Sequence, residues 1–130
     1  MCVFCDIVKG TIPCYKVYED NQVLAFLDIS QATKGHTLVI PKSHYDSLLE
    51  CPEEEAGSLM KVVTSLSKTL VKKLDAKGIN VLTNANEVAG QTVSHLHFHL
   101  IPRYSDEDGF QTQFKVNEHP NYEEILSLLQ

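Results

Sequence analysis

No stretch of about 18 consecutive apolar residues occurs in these 130 residues, so the sequence offers no candidate transmembrane helix. Positive charge is also scarce, with 11 Lys and Arg against 17 Asp and Glu and a formal net charge of −6. Surfaces that hold DNA or RNA are usually basic and release counterions on binding, so polymeric nucleic acid is excluded as the main partner. Any phosphate binding must be local. The first residues, Met1-Cys2-Val3-Phe4-Cys5-Asp6, lack the basic start and apolar core of a secretory signal. A soluble cytoplasmic protein with no membrane partner is the expectation. Internal repeats, low-complexity tracts and Gly/Ser-rich linkers are missing as well. With 43% apolar residues there is material for one core and not two, so residues 1–130 are expected to form a single domain. Cysteines number only four, and without an export signal they read as thiols or metal ligands rather than a disulfide framework. Cys14 and Cys51 read as ordinary small residues.

What is present is a change of period along the chain. Tyr15-Lys16-Val17-Tyr18 and Val23-Leu24-Ala25-Phe26-Leu27 flank a polar turn and predict a β-hairpin. Thr37-Leu38-Val39-Ile40 predicts a central strand stopped by Pro41. From Pro52 the apolar residues Leu59, Val62 or Val63, Leu66, Leu70 and Leu74 recur at three- and four-residue spacing, which makes a helical stripe. Glu53, Glu54 and Glu55 complement the positive end of that helix, Lys72 and Lys73 the negative end, and Gly78 follows. Residues 79–83 then predict a strand, 84–90 a loop, 93–101 a strand ended by Pro102, and 122–129 a short last helix. Strands, one long helix, then strands again describe an α+β domain with a mainly antiparallel sheet of about five strands.

Three histidines alternate in Ser94-His95-Leu96-His97-Phe98-His99-Leu100-Ile101-Pro102-Arg103. On an extended strand same-face neighbours lie about 6.6 Å apart, so the imidazoles are expected on one face and Leu96, Phe98 and Leu100 on the other. Three readings stand open. The histidines could be solvated surface residues. They could bind a metal, although the first and third would be roughly 13 Å apart at the backbone, too far for one ion on a regular strand. Or one imidazole could attack phosphorus while its neighbours neutralise developing charge, work suited to a group that titrates near neutrality.

The segment from Gly90-Gln91-Thr92-Val93 through His95, His97 and His99 to Pro102-Arg103 resembles the signature of the histidine triad (HIT) family of nucleotide hydrolases and transferases. Phe26-Leu27-Asp28-Ile29, the run Lys34-Gly35-His36-Thr37-Leu38-Val39-Ile40-Pro41-Lys42-Ser43-His44, and Asn84 resemble further family segments in the right order. The likeness covers roughly residues 1–105.

This resemblance implies a HIT-like α+β fold and places the nucleophile on His97. It implies attack at the α-phosphorus of a purine nucleoside phosphoramidate or acyl-nucleotide, with hydrolysis of a nucleotidyl-histidine intermediate. His99 and His36 would supply charge or hydrogen bonds to the phosphate. Asp28 would accept from the ribose, Ile29 would pack near the base, and Asn84, Gly90, Gln91 and Thr92 would lie near the phosphate, with backbone donors of the 90–92 turn helping. A homodimer is implied too. No catalytic metal is required. Within the enzyme class the rival substrate is a dinucleoside polyphosphate; from another class, the rival is a nucleotide-binding regulator without turnover. Separately, Cys2 and Cys5, with His44 and His95, form a donor set suited to a closed tetrahedral structural zinc site, and a subset of bacterial HIT proteins is similar in this respect. His95 would then belong to the metal and not to the phosphate. His119 lies outside every matching segment and reads as a surface residue.

Overall fold

The computed structural model describes residues 2–130. The order of elements is α1 (Val3–Lys9), β1 (Lys16–Glu19), β2 (Val23–Leu27), β3 (Thr37–Pro41), α2 (Glu53–Lys73), β4 (Gly78–Leu82), β5 (Phe98–Arg103) and α3 (Tyr122–Leu129). The five strands form one antiparallel sheet in the order β1-β2-β3-β5-β4. This is the expected α+β class, and the long helix, hairpin and last helix stand within a residue or so of their expected limits.

Period-two alternation assigns the strand residues to two faces. Val23, Ala25, Val39, Leu96, Phe98 and Leu100 pack with Leu59, Val63, Leu66 and Leu70 of α2. Leu24, Phe26, Leu38 and Ile40 face the other way and pack with Phe4 of α1. The second face was not foreseen, because α1 escaped the sequence reading. Its residues Phe4, Ile7 and Val8 have helical spacing, Cys2 caps its start by accepting from the Cys5 N–H, and Gly10 ends it at φ 83°. A seven-residue helix is too short to declare itself by periodicity.

Two expectations about the histidine segment are corrected. Regular strand covers only Phe98–Arg103, so His95 and His97 precede it in irregular chain. β5 pairs with β3 only as far as Phe98 opposite Val39. Beyond that point Pro41 has no N–H to continue the ladder, and its carbonyl accepts from the His95 ring instead. Pro102, in turn, does not end the strand. It pairs opposite Ile79, and its carbonyl accepts from the Thr33 hydroxyl on the far side. The nitrogen and carbonyl of one strand residue point the same way, so the missing N–H of Pro102 faces away from β4.

After Arg103 the chain folds back once. Asp108 accepts from the Arg103 guanidinium at 2.6 Å and from the Tyr104 N–H, while the Tyr104 hydroxyl donates to the Lys34 carbonyl. Gly109 lies so close to the Ala32 carbonyl that a Cβ there would overlap it. Past Phe110 nearly every residue is exposed, including Tyr122, Leu126, Leu128 and Leu129 of α3 and the surface histidine His119. Among the described residues, no helix is long and apolar enough to cross a membrane.

Candidate active site and metal site

Four buried or half-buried histidines converge where the β3 and β5 ends meet α1, and their hydrogen bonds assign each ring its tautomer. A carbonyl can only accept and a backbone N–H can only donate, so one fixed partner per ring suffices.

His97 bonds through Nδ1 to the His95 carbonyl at 2.7 Å, so Nδ1 carries the proton. Its Nε2 therefore keeps a bare lone pair. The Thr83 hydroxyl donates to the His97 carbonyl at 2.7 Å and holds the main chain beneath the ring. His36 is fixed from the opposite direction: the Ala32 N–H donates to its Nδ1 at 3.1 Å, which leaves the proton on Nε2. That Nε2–H faces Nδ1 of His99 at 2.9 Å. His99 must accept there, so its own proton sits on Nε2. Burial is the main cause that holds His99 far below the ordinary value of 6.5, at about 4, with the charges of His97 and His36 adding to it and Asp28 opposing. Burial also lowers His36, again against Asp28. Both rings are neutral donors at physiological pH.

A cavity of about 430 Å³ opens beside these rings, lined at its chemical end by His97, His99, Asp28 and Thr92. Val3, Phe4 and Ile7 of α1, with Cys14, Phe26 and the exposed Ile29, form its apolar walls. Asp28 combines two tasks, since Oδ1 accepts from the Ser30 N–H at 2.7 Å while Oδ2 lies 3.5 Å from His36 Nε2. Sequence reading missed Val3, Phe4 and Ile7, and it treated Cys14 as a mere small residue. The signal for α1 was the Phe4, Ile7 and Val8 spacing, which the Cys2/Cys5 pair overshadowed.

The turn at residues 90–92 needs one correction. Its expected backbone donors are mostly spent: the Gly90 N–H donates to Glu87 and the Gln91 N–H to Asn86. The Gln91 amide is spent as well, donating to the Asp46 and Val93 carbonyls and accepting from Asn86. Gln91 braces the loop, and among the described residues Thr92 alone in this turn keeps its N–H and hydroxyl without a protein partner. Gly90 sits at φ 99°, and its carbonyl accepts from the Asn84 amide. Asn84, Gly90 and Gln91 thus stand behind the cavity rather than on its wall.

A second cluster lies on the other side of His97. Cys2, Cys5, His44 and His95 bring one ligand atom each to within 4.8 Å of one another. His95 Nε2 donates to the Pro41 carbonyl at 2.9 Å, and His44 Nε2 donates to Asp46 at 2.8 Å. In their neutral forms both rings therefore turn an unprotonated Nδ1 toward the sulfurs, His95 at 3.3 Å from Cys2 and His44 at 3.3 Å from Cys5. A carbonyl or carboxylate behind a ligating imidazole is the usual arrangement around a metal. Although burial opposes it, the Cys5 N–H and thiol bring the Cys2 thiol below its ordinary value, whereas burial and Cys2 raise Cys5. Asp46 raises His44, and burial lowers His95. Asp28, His36 and His99 also lie close together. There, however, the nitrogen of His36 that faces the cluster carries a proton, so it offers a donor and not a ligand.

The three histidines of the alternating segment are thus divided. His97 and His99 stack edge to face at 5.0 Å between centroids, while His95 pairs with His44 at 4.9 Å.

Relatives agree with this arrangement. Residues 9–106 match the HIT domain family. The chain is 44% identical over 108 residues to the adenosine 5'-monophosphoramidase of Schizosaccharomyces pombe, covering 83% of this chain and 78% of that protein. The crystal structure of a HIT family protein from Bacillus anthracis superposes with a TM-score of 0.92 at 48% identity, over 98% of this chain and 94% of that one. A zinc-bound histidine triad family protein from Mycobacterium smegmatis superposes with a TM-score of 0.78 at 37% identity, over 98% and 89% of the two chains. The alternating histidines, the five-stranded sheet and these likenesses converge on one conclusion: the chain belongs to the HIT domain family.

Proposed function

We propose that the protein hydrolyses or transfers nucleotides at the α-phosphorus, taking purine nucleoside phosphoramidates or acyl-nucleotides as substrates. The observation that carries this reading is the bare Nε2 of His97 beside the 430 Å³ cavity, with its tautomer held by the His95 carbonyl. A neutral imidazole with a fixed lone pair is a competent nucleophile toward phosphorus.

In this reading the nucleoside enters the cavity with its base against Phe4, Ile7 and Ile29, and the ribose hydroxyls donate to Asp28. His97 Nε2 attacks the α-phosphorus, the bond from phosphorus to the leaving amine nitrogen or carboxylate oxygen breaks, the amine taking up a proton from solvent, and a nucleotidyl-His97 intermediate forms. Water then attacks the same phosphorus, the N–P bond breaks, and the nucleoside monophosphate leaves. His99 donates its Nε2–H to a phosphate oxygen, and His36 acts through His99 by fixing that proton. Thr92 supplies further donors, while Asn84, Gly90 and Gln91 shape the loop behind it. The S. pombe relative named as an adenosine 5'-monophosphoramidase supports this choice of substrate class. No catalytic metal enters the proposed steps.

We also read Cys2, Cys5, His44 and His95 as a structural zinc site. The ligand set fits, and the mycobacterial relative is zinc-bound. Elemental analysis of protein purified without added metal checks it; a zinc content near zero removes the reading. We further read residues 1–130 as one cytoplasmic HIT domain that forms a homodimer. The exposed apolar side chains of α3 and the open edge of β4 support that assembly. Light scattering on the purified protein checks it.

For the activity, the protein is mixed with adenosine 5'-phosphoramidate and with diadenosine tetraphosphate on one preparation. Release of AMP from the first, and a trapped adenylyl-protein on acid quench, is the expected result. Cleavage of the tetraphosphate alone transfers the protein to the other substrate class, and AMP binding without any turnover makes it a regulator.

A further inference from the structure

The two sites are joined by α1, whose attachment to the rest of the fold is unusual. Among the described residues, every main-chain hydrogen bond made by residues 2–12 stays inside that segment, and their only side-chain hydrogen bonds to the remainder are the Cys2 and Cys5 contacts to His44 and His95. Those are sulfur contacts of 3.3 to 3.5 Å, weak by themselves. What else holds α1 is apolar, through Phe4, Ile7 and Val8.

Phe4 lies between the two cysteines in sequence and is a buried wedge in space. Its ring meets His97 edge to face at 5.2 Å, His95 at 5.9 Å and Phe26 at 5.6 Å. Together with Val3 and Ile7 it forms one wall of the nucleotide cavity. His95, on the opposite side of the cysteines, carries the carbonyl that fixes His97. One cluster of four donors thus grips both the cavity wall and the residue that orients the proposed nucleophile.

We infer that the Cys2/Cys5/His44/His95 site is a clamp for the nucleotide cavity, so that nucleotide affinity and the single tautomer of His97 depend on its metal. This rests on the nucleotide and zinc readings above. A metal held by these four residues would tie Cys2 and Cys5 at the start of α1 to His44 and His95 in the rest of the fold. Without it, a seven-residue helix with no main-chain tie frays, Phe4 leaves the cavity, and the wall against the base is lost.

The test compares zinc-loaded protein, chelator-stripped protein and Cys5→Ser, with AMP as the probe. Calorimetry reads AMP affinity, hydrogen exchange reads residues 3–9 separately from β3 and β5, and nitrogen NMR reads the His97 ring. The expected result is AMP affinity weakened by about tenfold or more in both metal-free forms. Exchange should rise over residues 3–9 only, and His97 should pass from one tautomer to an averaged signal. Restoring zinc to the stripped wild type should reverse all three, and should not do so for Cys5→Ser. Equal AMP affinity with and without zinc overturns the clamp, as does loss of protection throughout β3 and β5, which would make the metal a support for the whole fold. AMP binding by none of the forms overturns the nucleotide reading itself, and the affinity claim falls with it.

Discussion

His97 donates its Nδ1–H to the carbonyl of His95, two residues back, across 2.7 Å. The bond cannot form on a regular strand, where that carbonyl would point sideways into the ladder. It exists because the chain leaves strand geometry before Phe98. The irregularity at residues 95–97 is therefore the device that exposes a bare Nε2, and the division of labour among the histidines follows from it.

Replacing His97 by Ala should lower phosphoramidase turnover by about four orders of magnitude or more, because it removes the proposed nucleophile. AMP affinity should change far less. The adenylyl-protein trapped by acid quench should vanish. Retained turnover in His97→Ala would falsify the mechanism.

His36→Phe keeps a ring of similar bulk but removes the Nε2–H that His99 accepts at 2.9 Å. His99 is then free to carry its proton on the wrong nitrogen. The expected loss is about 10- to 100-fold in kcat with KM nearly unchanged, the usual size for an outer partner that orients a functional imidazole. A change confined to KM would show that His36 serves binding instead.

Stability should fall on the acid side, with a definite sign. His99 titrates at about 4 in the folded protein against an ordinary 6.5, so between those limits the unfolded chain binds the extra proton. The native state is thus disfavoured progressively as pH drops from about 6.5 to 4, by at most about 3 kcal/mol for this group, and the effect levels off below. Urea melts of wild type and His99→Asn at pH 7, 5.5 and 4 check it. The wild type should lose more stability over that range than the variant, and parallel curves would contradict the shift.

Gly90→Ala places a Cβ on a residue at φ 99° and 3.3 Å from the Asn84 amide. The expected cost is about 1 to 2 kcal/mol from backbone strain. Because the same turn carries Thr92, catalytic rate should fall together with thermal stability. Gly57→Ala is the control: it lies in α2 with open space around it and should be neutral or slightly stabilising.

Much of this was legible in residue order. The stripe Leu59, Val63, Leu66 and Leu70 is buried as its spacing required, and Leu96, Phe98 and Leu100 face α2 while the histidines face away. The donor set Cys2, Cys5, His44 and His95, chosen on ligand chemistry and family resemblance, converges within 4.8 Å. Less visible was α1, because one short amphipathic turn carries too little period to stand out from loop. The bracing role of Gln91 was equally illegible, since nothing local shows that its amide would be consumed by the Asp46 and Val93 carbonyls.

Sequence alone determined the class of the fold and the types of group available for chemistry, because period and residue type act locally and survive any arrangement of the elements. Which imidazole does what was decided by tertiary structure. Each ring takes its tautomer from one partner, Ala32 for His36, His36 for His99, Pro41 for His95 and the His95 carbonyl for His97, and two of those four bonds join residues more than 50 positions apart in the chain. A tautomer is a property of the neighbour across the bond, and only folding supplies the neighbour.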